Sequence, residues 1–117
     1  PYRSLTIRLR GYDAFVDAYG FLAANEVFTY AGRLLADTVS KQNSGQDFIG
    51  AQDGNLMVIA SPERAEAVFE QAKQRFDAEV KTFYAFADSE RGGTLRNPGT
   101  AYESLEPFMT LEKAASA

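Results

Sequence analysis

Asp47 to Ala60 reads DFIGAQDGNLMVIA, and its punctuation decides the fold. Two short β-prone runs, Asp47–Gly50 and Asn55–Ala60, flank Asp53-Gly54, a pair suited to the positive φ angles of a tight hairpin turn. The stretch is expected to be a β-hairpin. The turn alone accounts for Asp53 and Gly54, without any ligand role.

Working back towards the N-terminus, Gln42 to Gly45 is turn chemistry. Before it, Val27, Phe28, Ala31, Leu34, Leu35 and Val39 mark one face of a helix predicted over Leu22–Lys41, with Glu26, Arg33, Asp37 and Lys41 lying mostly off that face. A shorter helix is expected over Tyr12–Tyr19, closed by Gly20. Leu5, Ile7 and Leu9 alternate with Thr6, Arg8 and Arg10, the period-two pattern of a half-buried strand.

Towards the C-terminus, Ser61-Pro62-Glu63 combines a capping hydroxyl, a first-turn Pro and an acid at the positive end of a helix dipole. Val68, Ala72, Phe76 and Val80 then recur every four residues, so this helix is expected to reach Asp77 or beyond. The stripe reads as core rather than as a cofactor box. Asp88 to Gly99 is polar and broken by Gly92-Gly93 and Asn97-Pro98-Gly99; Thr94–Arg96 and Ala101–Leu105 are expected to flank the second break as a small hairpin. Phe108–Ala114 reads as a last strand. The order β-α-α-β-β-α-β predicts an α/β (α+β) sandwich, one antiparallel-rich sheet with helices packed on one face.

Composition narrows the chemistry. With 117 residues, 45% of them hydrophobic, the chain has the size and core of one domain, 1–117. Its formal charge of −4 argues against tracking a nucleic acid, which needs a basic stripe. No apolar run approaches the roughly 18 residues that cross a bilayer, so neither nucleic acid nor membrane is an expected partner. With no Cys and no His, disulfides, thiol nucleophiles and imidazole bases are excluded. Pro1 at the start and the Ala/Ser tail suggest a domain excised from a larger protein.

Two stretches carry a family resemblance. Thr6–Gly20, TIRLRGYDAFVDAYG, is similar in spacing to the FIDLDNFKxFNDxYG of the GGDEF family of diguanylate cyclases, and Asn25-Glu26-Val27 resembles the DEVL that follows there. Asp47–Ile59 resembles the family's DxxxRxGGDEFxxI. The likeness runs from Leu5 to about Phe83 and returns weakly at Phe108–Ala114. It implies a nucleotide-cyclase-like sandwich in a cytoplasmic bacterial signalling protein.

The departures bear on function. In the family, carboxylates of the first strand and the hairpin hold the magnesium ions that draw together the phosphates of GTP. Here Arg8 and Arg10 stand at the first-strand positions, and Asn55 and Leu56 replace the central acids of the signature. The guanine-reading positions match Val16 and Asn25. The inhibitory product site, Arg-x-x-Asp in the family, matches Ser44, Gly45, Gln46 and Asp47, so only the Asp is kept. The resemblance thus implies a vestigial nucleotide pocket of Arg8, Arg10, Asn25, Asp53, Gly54 and Asn55, a vestigial inhibitory site at Asp47, and no catalytic residue, metal or cofactor.

The expectation is a catalytically inactive GGDEF-like regulatory domain that makes no cyclic di-GMP. Its expected partners are neighbouring domains of the same chain or a homodimer mate, with GTP or a related nucleotide as ligand. Arg8 and Arg10 are either solvated strand residues or forks that bind phosphate directly. Two alternatives stay open. One is an enzyme with a reshaped carboxylate site drawing on Asp13, Asp17 or Asp53, the first two lying four apart on one helical face. The other is a ferredoxin-like binding domain unrelated to cyclases. Two helices between the first strand and the hairpin favour the GGDEF reading; one favours the ferredoxin-like domain. Arg91-Gly92-Gly93 reads as a turn rather than as a phosphate loop.

Overall fold

A computed structural model describes residues 3–42, 48–52 and 54–114. Its main sheet has four strands in the order β2-β3-β1-β6, antiparallel throughout. Strand β1 is Arg3–Arg10, β2 Phe48–Gln52, β3 Asn55–Ala60 and β6 Thr110–Lys113. Two helices, α1 (Tyr12–Tyr19) and α2 (Phe21–Gln42), lie between β1 and β2, the count that separates the cyclase-like reading from the ferredoxin-like one. Helix α3, Pro62–Glu79, follows the hairpin.

The alternation in sequence becomes the two faces of this sheet. Ile7, Leu9, Leu56, Val58, Ala60 and Leu111 are buried on one side. They meet Val27, Ala31, Leu34 and Leu35 of α2 and Val68, Phe69, Ala72 and Phe76 of α3, all buried in the same core. Each of the larger of these side chains, the Val, Leu, Ile and Phe residues, stabilises the fold by about 1.5–3 kcal/mol through burial. The one buried polar side chain among the described residues, Thr38, donates its hydroxyl to the Leu34 carbonyl at 2.8 Å and so is satisfied within its own helix.

The hairpin registers Phe48 against Ile59 and Gln52 against Asn55. Gly54 carries φ 77° in the connecting turn, the conformation that a β-branched or bulky residue resists. Asp53 and the Asn43–Asp47 segment lie outside the described residues, so the turn expected over Gln42–Gly45 and the strand start at Asp47 are not described; Gln42 itself ends α2. Ser61 caps α3 as its composition implies, accepting from the Arg64 amide at 3.5 Å, with Pro62 in the first turn.

The region after α3 is richer than its sequence suggests. A 3₁₀ turn over Val80–Phe83 leads to a short helix, α4, over Phe86–Arg91, which runs into the polar segment that begins at Asp88 and for which no helix is predicted. None of its residues is buried, so no apolar period betrays it. Its local signals are Asp88 near its N-terminus, Arg91 paired to Asp88 at 2.7 Å, and Gly92 closing the last turn. The small hairpin forms from β4 (Gly93–Arg96) and β5 (Ser104–Pro107), a separate two-stranded sheet. Ala101–Glu103 belong to its turn rather than to the strand. At Gly93 the two strands approach so closely that a Cβ would lie 2.1 Å from the Glu106 carbonyl oxygen.

Candidate functional site

The polar end of β1, the turn into α1 and the tip of the hairpin converge on one cleft of about 430 Å³. Arg8 and Arg10 enter from β1, Gly11, Tyr12, Asp13 and Ala14 from the turn and first residues of α1, and Gly54 and Asn55 from the hairpin. Leu9 of β1, Phe28 of α2, edge-on to Tyr12 with ring centroids 6.4 Å apart, and Glu112 of β6 complete it. Strand alternation explains the two guanidinium groups: Ile7 and Leu9 face the core, so Arg8 and Arg10 face away from it.

The charges here differ in kind. Arg8 is registered opposite Glu112, and its Nε donates to that carboxylate. Arg8 is more than half exposed and Glu112 about 29%, so the pair stabilises the fold by about 1 kcal/mol at most. Arg10 has no ion pair or hydrogen bond to any described side chain, although it lines the same cleft. Asp13 occupies the first turn of α1, whose N-cap, Gly11, offers no side-chain acceptor.

Four of the six residues expected in the nucleotide pocket, Arg8, Arg10, Gly54 and Asn55, therefore line one cleft. Asn25 does not. It is on the outer side of α2, where with Glu26, Thr29, Tyr30, Arg33 and Phe83 it edges a second hollow of about 340 Å³. Ala24 and Val27 take the buried side of this turn, which leaves Asn25 exposed. Val16 is half-buried against the core. Asp53 and Asp47 lie outside the described residues.

The carboxylate pair considered for acid–base work is divided. Asp13 lines the cleft, whereas Asp17 reaches Arg96 of β4 at 3.7 Å. Arg91-Gly92-Gly93 is structural: Arg91 binds Asp88, and Gly93 permits the close strand approach. Glu112 was missed in the sequence because only the pairing of β6 with β1, 104 residues apart, brings it to Arg8.

Magnesium, which the fold class implies, does not fit this donor set. Asp13 and Glu112 are the carboxylates that the described residues bring to the cleft, and Glu112 is engaged by Arg8. Leu56 points into the core, and no cluster of three or more potential ligands exists among the described residues. A hard dication needs several oxygen donors, and two guanidinium groups oppose it.

A second polar cluster ties α1 to α4. The Tyr19 hydroxyl donates to Asp88 and accepts from the Ala85 amide at 2.9 Å, while Thr94 donates to Asp88 at 3.4 Å. Burial, reinforced by the Asp88 carboxylate, raises the Tyr19 pKa; the Tyr19 hydroxyl, helped by Arg91 and Thr94, lowers that of Asp88. The two directions agree on a neutral phenol donating to a carboxylate. Tyr84, its pKa raised by burial, accepts from the Met109 amide at 2.8 Å and packs between Phe15 and Phe108.

This architecture matches that of the active GGEEF domain of a diguanylate cyclase from Vibrio cholerae, with a TM-score of 0.62 and 15% identity over 94% of this chain. The chain has a GGDEF-like fold. It spans 57% of the length of that cyclase chain. No protein-family model and no curated protein matches the sequence. No helix among the described residues is long and apolar enough to cross a membrane.

Proposed function

We propose that this chain is a GGDEF-like regulatory domain of a cytosolic signalling protein that makes no cyclic di-GMP. It acts through contacts with neighbouring domains or a second copy, or by holding a nucleotide without turning it over. One observation carries the reading: Arg8 and Arg10 occupy the strand positions that border the cleft where the resemblance puts metal-holding acids. Asn55 at the hairpin tip supports it, since a neutral amide cannot supply the missing charge. Without metal ions to gather the triphosphate and activate a ribose hydroxyl, the cyclase reaction has no electrophilic assistance.

The separation of Asp13 from Asp17 weighs against the reshaped-carboxylate enzyme, because acid–base partners must reach one substrate together. The test is incubation of the purified chain with GTP and magnesium or manganese, followed by chromatography for cyclic di-GMP. No product is expected. Metal-dependent product well above a no-protein blank removes the proposal.

A further inference from the structure

We propose that the cleft binds a polyphosphate oxyanion directly on arginine, so that magnesium weakens binding instead of supporting it. The inference rests on the metal-free reading of the same cleft given above. Two guanidinium groups border it, and they are unequally committed. Arg10 lines the cleft with no described partner, and Arg8, itself more than half exposed, is held by one half-buried carboxylate, Glu112, whose place a ligand oxygen would have to take. A guanidinium offers five N–H donors in a planar fork matched to phosphate oxygens. The volume, about 430 Å³, is that of a small-molecule site.

The chemistry selects a polyphosphate over a simple carboxylate. Two forks present more donors than the two oxygens of one carboxylate can accept. Tyr12, Asp13 and Ala14 place the first turn of α1 at the cleft, with no side chain capping it at Gly11. Against the ligand stand Asp13 and Glu112, which balance the two arginines to zero formal charge. Binding therefore requires that Arg8 leave Glu112, and the acids set the affinity. Magnesium acts on the ligand: it coordinates the same phosphate oxygens and lowers their charge, removing what the forks recognise.

The experiment is calorimetric titration of the purified chain with inorganic tripolyphosphate, in EDTA and then in excess magnesium. Binding is expected in EDTA, weaker in magnesium. Arg10→Gln is expected to weaken binding in EDTA by about tenfold or more, the loss of a charged hydrogen-bonded partner. Glu112→Gln, which frees Arg8, is expected to tighten it. Far-ultraviolet circular dichroism of each variant separates an unfolded chain from a lost site, and the Glu112→Gln gain is a result that unfolding cannot produce. No heat in EDTA at millimolar ligand, tighter binding in magnesium, or affinity unchanged by both substitutions each overturns the inference. The two proposals fail separately: cyclic di-GMP synthesis removes the inactive-domain reading, whereas absence of both product and tripolyphosphate binding removes only this one.

Discussion

The sandwich of β1, β2, β3 and β6 with α1, α2 and α3 and the appendage of α4 and the β4–β5 arm are held by different physics. In the sandwich, a buried apolar core continuous across three strands and three helices does the work, with Thr38 the one buried polar side chain among the described residues. In the appendage, α4 buries none of its residues, Phe86 and Tyr102 are about four-fifths exposed, and tyrosine hydroxyls and Asp88 supply the ties. Apolar burial is additive and tolerant of small errors, whereas a hydroxyl–carboxylate tie depends on single atoms. The two regions should therefore lose structure under different insults and at different free energies.

The largest effect should come from the sandwich. Phe76 of α3 is completely buried at the centre of the core and touches Tyr30 of α2, with ring centroids 5.9 Å apart. Phe76→Ala should cost about 3–5 kcal/mol, read as a lower urea midpoint at unchanged slope. That is a large part of the total stability of a domain this size. A loss under about 1 kcal/mol would show that the core is not the common support of the sandwich.

Next in size is a lesion confined to the appendage. Gly93→Ala places a methyl 2.1 Å from a backbone oxygen that no rotamer change can move, so β4 and β5 must separate. Overpacking of this kind costs about 1–3 kcal/mol. The expected readout is accelerated amide exchange across Gly93–Arg96 and Ser104–Pro107, with β1 and β3 still protected. Uniform acceleration everywhere would mean that arm and sandwich open as one unit, and the contrast drawn between them would fall.

The same contrast explains what was legible beforehand. The sandwich could be read because its physics is periodic: Leu5, Ile7 and Leu9 alternate, Val68, Ala72, Phe76 and Val80 step by four, and Ser61-Pro62 announces α3. The turn residues Gly54 and Gly92 were visible for similar local reasons. Helix α4 was not, because a short helix with no buried face leaves no hydrophobic period. In the cleft, Arg8, Arg10, Gly54 and Asn55 were placed together through the family likeness and the hairpin. Asn25, matched by position alone, borders a different hollow, and Glu112 was missed because strand pairing over 104 residues leaves no local trace.

The smallest predicted effect is on pH, and it tests the appendage alone. Asp88 has its pKa lowered chiefly by the Tyr19 hydroxyl, then by Arg91 and Thr94. A carboxyl whose folded pKa lies below its unfolded value contributes stability that is fully present above about pH 4 and is lost as pH falls through the folded value. Acid should therefore loosen α4 and β4 while α3 and β3 stay protected. Asp37, lowered by Arg75 and Lys41, is protonated in the same range, but that tie between α2 and α3 is screened at the surface and backed by the apolar core. Amide exchange at pH 5 and pH 3, corrected for intrinsic rates, compares the two regions in one sample. Asp88→Asn should remove the difference, because an amide cannot gain the proton that breaks the tie. If the variant keeps the same acid response, the Tyr19–Asp88 contact is not what fastens the arm, and the stacked ring of Tyr19 on Phe15, 4.6 Å between centroids, is left as its anchor.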